Sequence, residues 1–166
     1  MKEKEFDINF RKLYLPLGMF ALRIVEDADL AEDLVAETFA NVWQKVNEGF
    51  EIDNFKSYLY QAVRNSCLGY LRSKKETVGL ESIPDVDEET IDTSERDAMI
   101  WKAIDELPPK CRQVFLLSKR DGLSNEEIAQ EMGISIKTVK NQMTKAFGRL
   151  REALSSGHKP FFLPFL

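Results

Sequence analysis

The stretch ISIKTVKNQMTKAF, residues 134 to 147, concentrates side chains with one kind of chemistry. Lys137, Lys140 and Lys145 offer ammonium groups, Asn141 an amide and Thr144 a hydroxyl. Ammonium groups attract phosphates and donate to guanine acceptors, whereas an Asn amide can bond adenine through two atoms. This set suits the edge of a nucleic-acid duplex if one surface presents it. At about 100° per residue, Ile136, Val139, Met143, Ala146, Phe147, Leu150 and Leu154 fall into one apolar stripe. Lys137, Asn141, Thr144, Lys145 and Gly148 then lie opposite, with Lys140 on the flank. Thr138 and Arg149 join the candidate set. Between Ile134 and Leu154 five basic residues stand against one acidic residue, so the helix presents a positive outer face.

The preceding residues explain how such a helix is held. Ser124 and Glu127 have the spacing of a capping box, Ile128, Ala129 and Met132 follow at helical intervals, and Gly133 ends the segment. Ser135 can cap the next helix. A short helix, a three-residue turn and a longer basic helix fit a helix-turn-helix, whose second helix enters the major groove. The competing explanation is a solvated basic face on an ordinary helical hairpin. Upstream, SERDAMIWKAIDEL presents Ala98, Trp101, Ile104 and Leu107 on one side, and Pro108-Pro109 opens PPKCRQVFLLSKR, which stops at Asp121-Gly122. Four helices over residues 94 to 156 then make a compact DNA-binding domain.

The N-terminal part is also helical. DADLAEDLVAETFANVWQKV has Leu30, Leu34, Val35, Phe39, Val42 and Val46 on a broad apolar face, and Asp33, Glu37 and Gln44 opposite, with Ala36 and Ala40 between them. A narrow acidic strip with small residues in it suits a helix of another protein, and equally suits water. After a loop around NEGFEIDN, FKSYLYQAVRNSCLGYLRSKK turns Phe55, Leu59, Ala62, Val63, Ser66 and Tyr70 to the core. Its other side has Tyr58, Gln61, Arg64, Asn65, Leu68 and Arg72. Aromatic, amide and guanidinium groups on one face can stack unpaired bases and follow their backbone. An amphipathic helix with a few exposed large side chains explains the pattern as well.

Composition limits the alternatives. The chain has 166 residues, 43% hydrophobic and 31% charged, enough for one core or two small ones. No apolar run approaches the roughly 20 residues of a membrane span, and MKEKEFDINF is too charged for a signal peptide, so a soluble cytoplasmic protein is expected. Cys67 and Cys111 sit in apolar periodic segments and read as buried thiols, and His158 is the single histidine. Without a glycine-rich phosphate loop, a C-x-x-C pair or a second histidine, no enzyme, metal or cofactor is expected. Charge is uneven: residues 76 to 106 hold 2 basic and 11 acidic side chains, and residues 107 to 166 hold 10 and 5. The acidic block suggests a flexible linker over 76–93 between an N-terminal domain of residues 1–75 and the C-terminal one, either a solubilising spacer or a strand that occupies a basic channel on a partner.

Three segments, AEDLVAETFANVW (31 to 43), SYLYQAVRNSCLGYLR (57 to 72) and ELPPKCRQVFLLSKRDGLSNEEIAQEMGISIKTVKNQMTKAFGRLREAL (106 to 154), together resemble the extracytoplasmic-function class of sigma-70 family RNA polymerase sigma factors. The resemblance implies an all-α chain of two small domains, region 2-like and region 4-like. The first would bind the clamp helices of the core polymerase's largest subunit and open the minus-ten element of promoter DNA. The second would recognise the minus-thirty-five element and touch the flap of the other large subunit. By position, Asp33 and Glu37 become the docking face, Phe50 and Asn65 surround a pocket for a flipped base with Asn41 near it, and Lys140, Asn141, Thr144 and Lys145 face upstream DNA. Two residues depart from the pattern: Gly69 stands where many members have Asp, and Pro16 should kink or restart the first helix. The apolar tail HKPFFLPFL, residues 158 to 166 within a terminal segment of 157–166, either folds back onto a domain or meets a partner such as an anti-sigma factor.

Two other classes share part of this pattern. A response regulator would need alternating strands and helices in its receiver, whereas residues 1 to 75 have helical periodicity throughout. A protein-binding adaptor would have no use for Lys137, Lys140 and Lys145.

Overall fold

The structure is a computed structural model that describes residues 1–74 and 83–155. The described residues form seven helices, α1 (Glu3–Val25), α2 (Ala28–Asn47), α3 (Phe55–Ser73), α4 (Glu88–Asp105), α5 (Pro109–Lys119), α6 (Asn125–Met132) and α7 (Ile136–Ala153), and no strand. The chain divides into two compact units, Met1–Ala98 and Met99–Leu166. The expected all-α, two-domain class is the class observed.

In the first unit α1, α2 and α3 pack mutually around Leu17, Phe20, Val35, Phe39, Leu59, Tyr60 and Val63, all essentially without solvent exposure. Each such side chain contributes about 1.5–3 kcal/mol by leaving water. Local signals set the helix starts: Asp27 accepts the Leu30 N–H at 3.1 Å, and Asn54 accepts the Ser57 N–H at 3.1 Å. Pro16 does not restart the first helix, because α1 runs through it. Proline removes one N–H, but Leu13, Pro16, Leu17 and Phe20 are all buried on the same side, and that packing holds the helix across the gap.

A second correction concerns α3. Leu68, expected on its outer side, is buried, as are Tyr60 and Leu71. The reason lies in residues 83 to 98, which belong to the first unit. Ile83 is buried there, and Val86 and Ile91 pack on the same core. Ser94 is fully buried and donates its hydroxyl proton to the Ile91 carbonyl at 2.8 Å, so the Tyr60 hydroxyl donates to Ser94 Oγ at 2.5 Å. Arg64 donates to the Pro84 carbonyl at 2.9 Å and to Asp85 at 3.3 Å, Arg23 pairs with Asp97 at 3.0 Å, and Lys56 pairs with Glu95. Within the stretch expected to be a solvated linker, Asp85 is therefore a partner for a cation of the first unit, and Glu95 and Asp97 just beyond it are two more. Asp87 opens α4 by accepting the Thr90 N–H at 2.8 Å and hydroxyl at 2.7 Å, which holds its carboxyl below the usual range. The helix expected from residue 94 thus begins at Glu88, and Ala98 lies in the first unit.

The second unit contains α5, α6, α7 and the end of α4. Ile100, Ala103, Ile104 and Leu107 meet Cys111, Phe115, Ala146 and Leu150 in one cluster, and Val114, Ile128, Ala129 and Val139 form another, with Met143 against both. The capping box at Ser124 is complete: the Glu127 N–H donates to Ser124 Oγ and the Ser124 N–H to Glu127 Oε1, each at 3.1 Å. Gly133 takes φ 66°, the left-handed conformation that ends α6 and lets α7 leave in a new direction. Ser135 caps α7 by accepting the Thr138 N–H at 3.0 Å. Ile136 departs from the expected stripe, being 41% exposed, while Val139, Ala146 and Leu150 are buried. Both cysteines are buried free thiols. Residues 156 to 166, including His158 and the apolar tail, lie outside the described residues, as do residues 75 to 82, which take in residues 76 to 82 of the expected linker.

Candidate nucleic-acid interface

Three surfaces hold most of the residues singled out above. In the first unit, α2 and α3 border a cleft of about 300 Å³ lined by Thr38, Asn41, Val42, Lys45, Tyr58, Gln61, Ala62, Asn65 and Ser66. Four of the sequence-predicted residues, Asn41, Tyr58, Gln61 and Asn65, thus converge from two helices. Phe50, 51% exposed in the loop between them, stands 6.0 Å from the Tyr58 ring with a 45° tilt, which sets two aromatic faces at one edge of the cleft.

The cleft's polar groups are mutually ordered. Gln61 donates its amide to Asn65 Oδ1 at 3.2 Å, leaving the Asn65 amino group as a donor. Below them Thr38 spends its one hydroxyl proton on the Leu34 carbonyl at 2.7 Å, so Ser66 is the donor in the 3.2 Å contact between the two hydroxyls. Lone pairs of Ser66 remain for another donor. Aromatic edges, amide donors and hydroxyl acceptors in a concave site can take a planar polar ring out of water. Thr38 and Lys45 were not singled out from the sequence, and Ser66, expected on the core side of α3, lines the cleft instead. The signal for Thr38 and Lys45, the helical spacing of residues 38, 41, 42 and 45, needed knowledge of which side of α2 faces α3.

Two candidates do not join this cleft. Arg64 is turned away to Pro84 and Asp85, with its side chain 19% exposed. Arg72 is exposed near the end of α3 and lines no part of the cleft.

In the second unit Lys137, Lys140, Asn141, Thr144 and Lys145 are exposed along α7. Among the described residues none of the three lysines forms an ion pair, so their charge is open to a polyanion. Thr144 donates its hydroxyl to the Lys140 carbonyl at 3.0 Å, which keeps its lone pairs outward. Thr138 is half-buried with its hydroxyl 2.8 Å from Ser135 Oγ, part of the helix cap more than of the outer face. Arg149 lies toward α4, lining a cleft with Ala103, Glu106, Leu107, Glu152 and Ala153. Burial pushes the Cys111 thiol up, and the positive fields of Lys145 and Arg149 oppose that push.

On α2, Asp33, Ala36, Glu37, Ala40 and Gln44 are all exposed. Gln44 donates to Glu48 at 3.3 Å, and among the described residues Asp33 and Glu37 have no hydrogen-bond or ion-pair partner. The nearby Tyr14 hydroxyl is pushed up first by burial, then by the fields of Glu32 and Asp33.

The sequence pattern of the family described as Sigma-70 region 2 matches residues 10–77, and that of Sigma-70, region 4 matches residues 97–150. The RNA polymerase sigma-E factor of Streptomyces avermitilis is 32% identical over 155 residues, which cover 92% of this chain and 86% of that protein. The chain belongs to the sigma-70 family of RNA polymerase sigma factors. Sigma factor SigZ of Bacillus subtilis is 27% identical over 149 residues, covering 86% of this chain and 83% of its own. A solved structure of the sigma factor RpoE with the anti-sigma factor NepR from Bartonella quintana covers 93% of this chain and 99% of its own, at 24% identity and a TM-score of 0.39.

This sigma factor is of the extracytoplasmic-function class and directs transcription initiation. Its α2–α3 cleft lies wholly inside the region 2 match, and α6 with most of α7 inside the region 4 match. Residues 78–96 fall outside both matches, although from Ile83 they pack on the region 2 unit. Sigma factors are in general non-enzymatic and cytoplasmic, and among the described residues no helix is long and apolar enough to cross a membrane.

Proposed function

We propose that this sigma factor divides promoter recognition between its two surfaces. The α2–α3 cleft, with Asn41, Phe50, Tyr58, Gln61 and Asn65, receives a base extruded from the minus-ten element, and Lys45 at its edge neutralises the neighbouring phosphate. Extrusion costs a few kcal/mol, which stacking of roughly 1 to 3 kcal/mol per base and edge hydrogen bonds return. The outer face of α7, with Lys137, Lys140, Asn141, Thr144 and Lys145, meets the minus-thirty-five duplex, and Arg149 and Arg72 approach phosphates at the margins. Asp33, Glu37 and Gln44 dock on the clamp helices of the largest polymerase subunit, and the region 4 unit meets the flap of the other large subunit. The functional domains are residues 1–75, with residues 83–98 tied to them, and residues 99–156. The chain acts in the cytoplasm, performs no catalytic step itself, and is held in check by an anti-sigma factor.

The observation that supports this reading best is the convergence of Asn41, Tyr58, Gln61 and Asn65 on one cleft with Phe50 beside Tyr58. The test uses a promoter that the reconstituted holoenzyme transcribes. Its non-template minus-ten strand, as a single-stranded oligonucleotide, should bind native holoenzyme and bind Asn65→Ala holoenzyme at least tenfold more weakly, with duplex binding upstream unchanged. Equal binding of the single strand by both would defeat the assignment of the cleft.

A further inference from the structure

Ile136 is the first residue of α7, and its side chain is 41% exposed. It is the one large apolar side chain so exposed from α5 through α7 among the described residues. Folding gives it no visible task. The helix start is capped by Ser135, the apolar contact on the near side of that cap comes from Ile134, and the buried side of α7 begins at Val139. A β-branched residue is also a modest helix former, so propensity does not account for it. Its neighbours on the open side are Lys137 and Lys140, two cations without ion-pair partners among the described residues.

In a helix-turn-helix the N-terminal residues of the second helix reach the base edges. The one apolar feature on those edges in the major groove is the 5-methyl group of thymine. Resting on the assignment of α7 to upstream duplex, we infer that Ile136 packs on a thymine methyl group and sets a thymine preference at one position of the upstream element. Lysines beside it hold the phosphates and supply no such preference, because phosphate contacts are the same for every sequence. Ile136 is thereby a specificity residue within a face otherwise built for attraction and amide hydrogen bonds.

The test starts from duplexes with a randomised upstream element, selected by native holoenzyme. Thymine should be enriched at one position that Ile136→Ala holoenzyme does not enrich. Replacing that thymine by deoxyuridine, which removes only the methyl group, should weaken native binding about fourfold, the worth of burying one such group. Ile136→Ala holoenzyme should bind both duplexes equally, and Ile136→Val should keep part of the discrimination. Core polymerase affinity should be the same for all three proteins. The inference is overturned if no thymine is enriched, if Ile136→Ala still separates thymine from deoxyuridine, or if it loses affinity for core enzyme, which would make Ile136 a polymerase contact. Lys140→Ala separates the two levels of failure. Weaker binding to every selected duplex upholds the duplex-facing role of α7 whatever Ile136 does, and unchanged binding removes that role and the inference with it.

Discussion

The α2–α3 cleft and the outer face of α7 are built on opposite principles. The α7 face is convex, comes from one helix, and keeps its lysines unpaired among the described residues. The cleft is concave, comes from two helices with Phe50 of the loop beside it, and has Gln61 bonded to Asn65 and Thr38 to Ser66. A duplex brings its own rigidity, so an exposed ridge of charge with one or two amides suffices to meet it. An unpaired base brings none, and the site must order its own groups beforehand to repay the unstacking.

The strongest way to break the contrast is to remove what both surfaces depend on. Reversing charge in Asp33→Lys, Glu37→Lys should abolish binding to core polymerase, and with it all promoter-dependent transcription, while thermal unfolding moves little because both residues are exposed. Core binding by the folded double variant, followed in gel filtration, would return that strip to solvent.

Changes on α7 should act on one surface alone. Lys140→Ala and Asn141→Ala should each cost about 1 to 3 kcal/mol in promoter binding, with Asn141→Ala relaxing preference at a single upstream position and Lys140→Ala lowering affinity across sequences. Measurements over single-base promoter variants distinguish the two patterns.

The units should also differ in alkali. Burial pushes the Cys67 thiol up to about 12 from an ordinary value near 9.0, whereas at Cys111 the fields of Lys145 and Arg149 oppose the same effect. A raised folded-state value leaves stability intact below the unfolded value and erodes it above, since the unfolded chain then releases its proton first. Native protein should lose about 1.5 kcal/mol through Cys67 between pH 8 and pH 10. Urea unfolding of Cys67→Ala should lack that part of the slope, and Cys111→Ala should change it less.

The smallest expected effect concerns the segment docked on the first unit. Tyr60→Phe leaves the buried Ser94 oxygen without its donor and should lower stability of that unit by about 1 kcal/mol. Hydrogen exchange should rise in residues 83 to 98 and stay unchanged in α5 to α7.

How much of this was legible depended on the distance over which each signal acts. The capping box at Ser124, the Gly133 turn and the polar side of α7 all lie within a few residues, and each is found where the spacing put it. Helical periodicity likewise gave α2 and its acidic strip. Arg64 was misjudged because Pro84 and Asp85, its partners, are 20 and 21 residues away in a stretch that reads as solvated charge. Leu68 shares that cause, since the residues after Ile83 cover a side of α3 that composition alone leaves bare. The cleft floor was missed too, since Thr38 and Ser66 are 28 residues apart and no pattern within either helix announces their contact. Ile136 failed in the opposite direction: its spacing is that of the core stripe, yet it is 41% exposed, while Val139 in the same turn is buried.

The division of labour is tested most directly by following one promoter through two steps with Asn65→Ala and Asn141→Ala holoenzymes. Asn65→Ala should form the closed complex normally, show reduced permanganate reactivity of the minus-ten thymines, and regain most of its transcription on a template with a pre-opened bubble. Asn141→Ala should form less closed complex, and the complexes that do form should open as native ones do. If both variants fail at the same step, or the bubble gives Asn65→Ala no rescue, the two surfaces do not divide the work as their geometry suggests.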